Sequence, residues 1–145
     1  MEEERIKRYN DKLEYFNQTI KNLEDWTENI DVKEFTENLE LQKQYAIYHA
    51  FQISLEIITD VIAMIVKDSN KVPKDDYSNL DILKNNNILM SDLVVKIQEA
   101  NGLRNRIVHD YNGLDDSIAY QSILECIKSL KKFNEEVRNW VKKNC

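Results

Sequence analysis

The stretch YAIYHAFQISLEIITDVIAMIV, from Tyr45 to Val66, is almost continuously apolar. It is close to the roughly 20 apolar residues that span a bilayer, so a membrane helix and a buried core helix compete. His49, Gln52, Glu56 and Asp60 recur every three or four residues and form one polar stripe. Carboxylates are costly at a bilayer centre, whereas a helix apolar on its other sides is typical of a core. The stretch therefore predicts a central bundle helix without membrane contact.

The segments before and after this helix are also predicted to be amphipathic helices, because apolar residues recur there at helical spacing. Two glycines and one proline in 145 residues leave little punctuation for strands and turns. We predict a single all-α domain over residues 1–145, an up-and-down bundle of four to five helices. Asp31 and Ser91 are the predicted N-caps of the second helix and of the fourth. The predicted helices cover residues 2–30, 34–68, 79–85, 92–112 and about 115–142.

One small bundle would not cover every apolar face of the central helix, so we expect a symmetric homodimer, the commonest oligomer. His49, Glu56 and Asp60 also suggest metal ligands, but helical metal centres use carboxylates from several helices. Here only one helix offers them, so we expect no metal and no cofactor. A buried charge is normally paired. Asp60 or Glu56 is therefore expected to hold one of the arginines at positions 104 and 106.

The formal net charge of −6 and the pI near 5.0 argue against a general coat for nucleic acid, whose affinity comes from concentrated Lys and Arg. An RNA substrate would then need a local cluster of basic residues. One such cluster lies near the N-terminus, where we favour a solvated face over phosphate binding; its members are Arg5, Lys7, Arg8 and Lys12. The chain starts Met-Glu-Glu-Glu-Arg, without the features of a signal peptide. We therefore expect a cytoplasmic protein.

The second informative stretch is GLRNRIVHDYNG, Gly102–Gly113. Its arginines can grip phosphate or carboxylate through a planar fork, and His109 can exchange a proton near neutral pH. On an ideal helix Arg104 and His109 lie about 140° apart, whereas Arg104 and Tyr111 share a stripe. A dimer axis beside this helix would bring two copies of the motif into one cleft.

Arg104-x4-His109-x-Tyr111, with Asn105 directly after the arginine, resembles the R-x4-H-x-Y signature of HEPN domains. The form Arg-Asn-Arg-Ile-Val-His-Asp-Tyr is similar to HepT toxins, the HEPN half of the MNT–HEPN toxin–antitoxin systems. The order and length of the predicted helices agree over most of the chain. The resemblance implies a HEPN-like homodimer that acts as a ribonuclease toxin of a type VII-like pair.

With that resemblance, the motif predicts metal-independent RNA cleavage, in which the 2′-hydroxyl attacks the adjacent phosphate. His109 would act as general acid or base, and Arg104 would stabilise charge on the phosphoryl oxygens. Asn105 would orient His109 or bind the phosphate, and Arg106 would hold RNA or a carboxylate. DNA should resist because it lacks the nucleophile, and tRNA is one candidate substrate.

Tyr111 has two readings. The resemblance implies that a partner MNT-type nucleotidyltransferase, the antitoxin, adds AMP to this tyrosine and silences the toxin. The alternative is a packed tyrosine whose hydroxyl supports His109. Two other functions stay open for the whole chain. One is a non-catalytic HEPN dimer that docks a nucleotidyltransferase or a nucleotide, and the other is a structural dimer whose motif is a buried polar network.

Overall fold

The computed structural model describes all residues from Met1 to Cys145 and contains no strand. The predicted all-α class is confirmed. The number of helices is higher than the predicted four to five, because the chain forms six α-helices and one short 3-10 turn. These are α1 (Glu3–Thr27), α2 (Val32–Glu37), α3 (Leu41–Asp68), α4 (Asp76–Asn85), α5 (Ser91–His109), the 3-10 turn Tyr111–Gly113 and α6 (Asp116–Lys143).

The predicted helix over residues 34–68 is wrong at its start, because the chain breaks between α2 and α3. Asp31 caps α2 as predicted, and its carboxylate accepts a hydrogen bond of 2.7 Å from the Glu34 N–H. At the other end the Leu39 N–H returns to the Glu34 carbonyl at 2.9 Å. The Gln44 side chain donates to the Phe35 carbonyl at 2.7 Å. The polar groups exposed by the break are thereby satisfied.

Burial of Phe35 explains why the chain turns here. Its ring is fully buried and stacks on Tyr120 at 4.1 Å between centroids, and it meets the edge of Tyr48 at 5.6 Å. Tyr120 donates its hydroxyl to the Ile30 carbonyl at 2.6 Å. This aromatic cluster ties α2 to both α3 and α6, and a continuous helix through residues 38–40 would not place Phe35 in it.

Helix α3 is the centre of the bundle and packs against α1, α4 and α5. By length and composition alone it could cross a membrane, but 61% of its most apolar window is buried inside the bundle. The predicted polar stripe lies on the side that these helices leave open. Asp60 and His49 are exposed there, and Gln52 and Glu56 are half-buried. The side chains buried along α3 are Ile47, Tyr48, Ala50, Phe51, Ser54, Leu55, Ile57, Ile58, Val61, Ile62, Met64, Ile65 and Val66.

Two further boundaries differ from the sequence prediction. Helix α4 begins at Asp76 rather than near residue 79, because Asp75 caps it by accepting from the Ser78 N–H at 2.7 Å. The predicted cap Ser91 is instead the first residue of α5, and Met90 is the N-cap. The Met90 N–H donates to the Glu136 carboxylate at 3.2 Å, so α6 contacts the start of α5, and no side chain caps this helix.

Candidate active site at the end of helix α5

The motif helix ends at His109, not near residue 112 as predicted. Asp110 leaves the helical conformation with φ −137° and ψ 45°, and the 3-10 turn follows. A Cβ at Gly113 would lie 2.8 Å from the Asp110 carboxylate oxygens, so the glycine admits this tight turn. Tyr111 therefore lies outside the helix. The predicted helical stripe shared by Arg104 and Tyr111 is wrong.

Arg104 is only partly engaged by the protein. Its Nη1 donates to the Asn105 Oδ1 at 2.8 Å, and its Nη2 approaches the Glu56 Oε1 at 3.5 Å. The buried Nε has no hydrogen-bond partner. A guanidinium carries five N–H donors and a buried donor without a partner is costly. Nη1 and Nη2 each use one N–H for these bonds, so the donors that Arg104 keeps for an oxyanion are the two remaining Nη–H groups, not the buried Nε.

Glu56 is the carboxylate that reaches a motif arginine. Its Oε1 also accepts from the Gln52 side chain at 3.0 Å, which orients it. The Glu56 and Arg104 side chains are 45% and 23% exposed, so the ion pair contributes at most about 1 kcal/mol to stability. Its effect is to position the guanidinium. Asp60 does not take this role, since its carboxylate pairs with Lys12 Nζ at 3.3 Å.

Arg106 lies on another side of α5 from Arg104. It lines a groove of about 230 Å³ between α5 and α6, beside Glu99, Ser122 and Glu125. Neither Glu56 nor Asp60 forms an ion pair with Arg106, so Arg104 is the motif arginine that the stripe holds.

His109 and Asn105 stand one turn apart on α5, and both are exposed. The His109 side chain forms no hydrogen bond within the chain, and its imidazole is therefore open to a ligand. Asn105 accepts from Arg104 rather than orienting His109, which leaves its Nδ2 free to donate to a phosphate. The amide thus belongs to the arginine end of the site.

Tyr111 packs against two tyrosines of α3. Its ring meets Tyr45 edge-on at 5.9 Å and Tyr48 at 6.2 Å between centroids, and it remains 40% exposed. Tyr48 in turn donates its hydroxyl to the Asp116 carboxylate. Partial burial, and then the neighbouring Tyr45 hydroxyl, raise the pKa of Tyr111 from 10.0 to about 12. Burial and the bond to Asp116 also raise the pKa of Tyr48.

The outer face of α3 links these parts. Tyr45 and Tyr48 contact Tyr111, and Glu56 contacts Arg104, so the two ends of the motif meet α3 about 12–16 Å apart along its axis. Tyr45 and Tyr48 were not among the site residues predicted from the sequence. They could have been found as two tyrosines, each with a polar hydroxyl, at the start of the apolar run and close to its polar stripe. No group of three or more His, Cys, Asp or Glu side chains is placed to hold a metal ion.

Residues 16–137 match the model of the family described as HepT-like ribonucleases. The chain belongs to the HepT-like ribonuclease family. The match extends over the second half of α1, all of α2 to α5 and most of α6, and therefore includes the whole candidate site. The resemblance inferred from the R-x4-H-x-Y block is confirmed.

Two candidate ribonucleases of Archaeoglobus fulgidus are similar to this HepT-like chain. One is 35% identical over 97 residues, which is 67% of this chain and 74% of the relative. The other is 32% identical over 111 residues, 77% of this chain and 76% of the relative. Both are known only as candidates, so they support a ribonuclease family without showing an activity for this chain.

Solved structures show the same fold at low sequence identity. A tri-AMPylated HEPN toxin of Shewanella oneidensis, in complex with its MNT antitoxin, superposes with a TM-score of 0.81 at 20% identity, over 96% of this chain and 99% of that one. A toxin–antitoxin complex with AMP-PNP gives 0.80 at 18% identity, over 90% and 97%. A cytosolic Bacillus subtilis protein of unknown function gives 0.69 at 15% identity, over 90% and 91%. The fold is therefore that of HEPN toxins.

The raised pKa of Tyr111 predicts a measurable titration. The tyrosinate absorbance of wild type minus that of Tyr111→Phe should have its midpoint near pH 12. Because the folded pKa lies above the ordinary 10.0, this phenol's contribution to stability is complete below pH 10 and is lost as pH rises through 12. Tyr45→Phe should lower the midpoint. A midpoint near 10 in wild type would contradict the packing described for Tyr111.

Proposed function

We propose that this HepT-like chain is a metal-independent endoribonuclease toxin of the cytoplasm. The supporting observation is the state of Arg104, which Asn105 and Glu56 hold through one N–H of each terminal nitrogen, so that each Nη keeps a second N–H donor. An exposed, unbonded His109 follows one and a half turns later at the end of the same helix. An arginine with spare donors and a free imidazole are the groups that phosphodiester cleavage without a metal requires.

In the proposed reaction the RNA 2′-oxygen forms a bond to the adjacent phosphorus and the bond to the 5′-oxygen breaks. His109 takes the 2′-hydroxyl proton or gives one to the departing 5′-oxygen. Arg104 binds the phosphoryl oxygens as their charge rises, and the Asn105 amide donates to the same group. The products are a 2′,3′-cyclic phosphate and a 5′-hydroxyl. Arg106, on the other side of α5, would contact a more distant part of the RNA.

We further propose that the working form is a homodimer. His109 points to no group of its own chain, and the outer side of α3 carries residues of both ends of the site. A two-fold axis beside α5 would supply the second proton-transfer group from the partner's copy of the motif. Cleavage and dimerisation would then depend on the same surface.

Regulation by a nucleotidyltransferase completes the proposal. The structurally similar Shewanella toxin is tri-AMPylated and bound to an MNT antitoxin. In this chain the proposed acceptor is Tyr111, which is 40% exposed at the end of the motif. With a pKa of about 12 its phenol is protonated at neutral pH. The transferase would therefore accept the phenolic proton as the oxygen attacks the α-phosphate of ATP and pyrophosphate leaves.

The nuclease assignment predicts that purified wild type cleaves total RNA or tRNA in EDTA and leaves 2′,3′-cyclic phosphate ends. His109→Ala should lose about 10²–10⁴ in rate and keep its circular dichroism spectrum. The matched control is His49→Ala, which removes the only other histidine, an exposed one on α3. DNA of the same sequence should remain intact.

Two results would contradict this assignment. Equal loss of activity in His49→Ala and His109→Ala would show that His109 is not specifically the general acid or base of the reaction. No cleavage by a folded dimer whose intact mass equals that of the bare chain would instead favour the non-catalytic binding module. Intact mass has to accompany each assay, because a chain that carries AMP would be inactive for another reason.

The modification proposal predicts that a cognate MNT-type transferase and ATP add AMP units to wild type but none to Tyr111→Phe. Tyr45→Phe is the matched control, because it removes a neighbouring exposed phenol and leaves the acceptor. Intact-mass spectrometry reads the outcome. AMP units on Tyr111→Phe would show that another residue accepts the nucleotide.

A further inference from the structure

We propose that a basic groove between α1 and the C-terminal half of α3 binds the phosphate backbone of RNA beside the cleavage site. The inference deepens the proposed ribonuclease function and rests on it. The groove has a volume of about 320 Å³ and is lined by Arg5, Arg8, Lys12, Asp60, Ala63, Met64, Lys67 and Pro73. Four cations thus face one carboxylate in a chain whose formal net charge is −6.

Two of the four cations are already used within the fold. Arg5 pairs with Asp68 at 2.8 Å and lies 5.7 Å from the centre of the Tyr9 ring. Lys12 pairs with Asp60 at 3.3 Å. These bonds shape the groove wall and hold α1 against α3.

Arg8 and Lys67 are the cations that remain. Both are exposed, and neither forms an ion pair or a side-chain hydrogen bond within the chain. They come from different helices, residue 8 from α1 and residue 67 from the last turn of α3, yet they line one groove. Two unpaired cations that line one groove from separate helices are better explained by binding of a polyanion than by simple exposure to solvent.

The groove continues the candidate active site along α3. Asp60 in its wall is one helical turn beyond Glu56, the residue that holds Arg104. Lys67 lies about 16 Å further along the helix axis than Glu56. A single strand whose scissile phosphate sits at Arg104 could therefore place neighbouring phosphates against Arg8 and Lys67.

A larger surface groove, of about 740 Å³, shows why the charge balance matters. It lies between α1 and α6 and contains cations too, but Glu24, Asp25 and Glu28 face them, and Lys131 pairs with Glu24 at 2.5 Å. Such a mixed surface repels a polyanion as much as it attracts one. The basic groove is therefore the surface that fits RNA, and contacts to phosphate there would be independent of base sequence.

The test measures RNA binding without cleavage. A fluorescein-labelled oligouridylate is titrated with the His109→Ala chain over a range of salt concentrations, with and without Arg8→Gln and Lys67→Gln. The slope of log K against log salt is negative, and two lost contacts to a single strand should make it less steep by about 1.4 and lower the affinity by roughly tenfold. The matched control is Lys142→Gln with Lys143→Gln, which removes the same charge from the exposed end of α6.

Equal RNA affinities and salt slopes for the groove variant and the α6 control would contradict the proposal that the groove binds RNA. Neither Arg8 nor Lys67 takes part in an ion pair, so circular dichroism should be the same for all variants. The two proposals fail separately. If wild type cleaves RNA and the groove variant binds RNA as well as the control does, only the proposal of RNA binding by the groove is rejected. If RNA binding depends on the groove but wild type cleaves no RNA, only the ribonuclease proposal is rejected.

Discussion

Burial of α3 is the constraint on which the rest of the structure depends. Fully burying one large apolar side chain contributes about 1.5–3 kcal/mol, and α3 buries ten Ile, Leu, Val, Met and Phe side chains. Helices α1, α4 and α5 cover them from three directions. A polar strip that stays open carries His49, Gln52, Glu56 and Asp60, and Arg104 of the motif contacts it at Glu56. The site thus lies where the core helix could not be covered by apolar packing.

Much of the fold follows from local pattern, because long amphipathic helices carry their own signal. The break before Leu41 does not. It exists because Phe35 stacks on Tyr120 and packs edge-on against Tyr48, and Tyr120 lies far along the chain. The early end of α5 was hidden for a similar reason. Tyr111 follows Arg104 by seven residues, a spacing that fits a continuous helix. The helix nevertheless ends at His109, because Asp110 leaves the helical conformation and Tyr111 packs against α3.

The site shows the same limit at the level of single side chains. Glu56 and Asp60 lie on one stripe, so sequence left both as partners of the arginine, and the register between α3 and α5 selects Glu56. That register depends on packing along the whole interface. The separation of Arg104 from Arg106 was accessible from sequence, since residues two apart on a helix lie about 200° apart. Only one of the two arginines can therefore face the stripe of α3, and the packing of α5 selects Arg104.

The central claim is that Arg104 is positioned by Glu56 but free to bind a phosphate. The most direct measurement is the NMR signal of the Arg104 Nη–H groups in the His109→Ala chain, before and after addition of an oligouridylate. The account predicts that RNA shifts this signal, and that Glu56→Gln shifts it in the free protein while Asp60→Asn does not. A signal that stays in place while RNA binds elsewhere would show that Arg104 is a structural residue, and it would contradict the proposed chemistry.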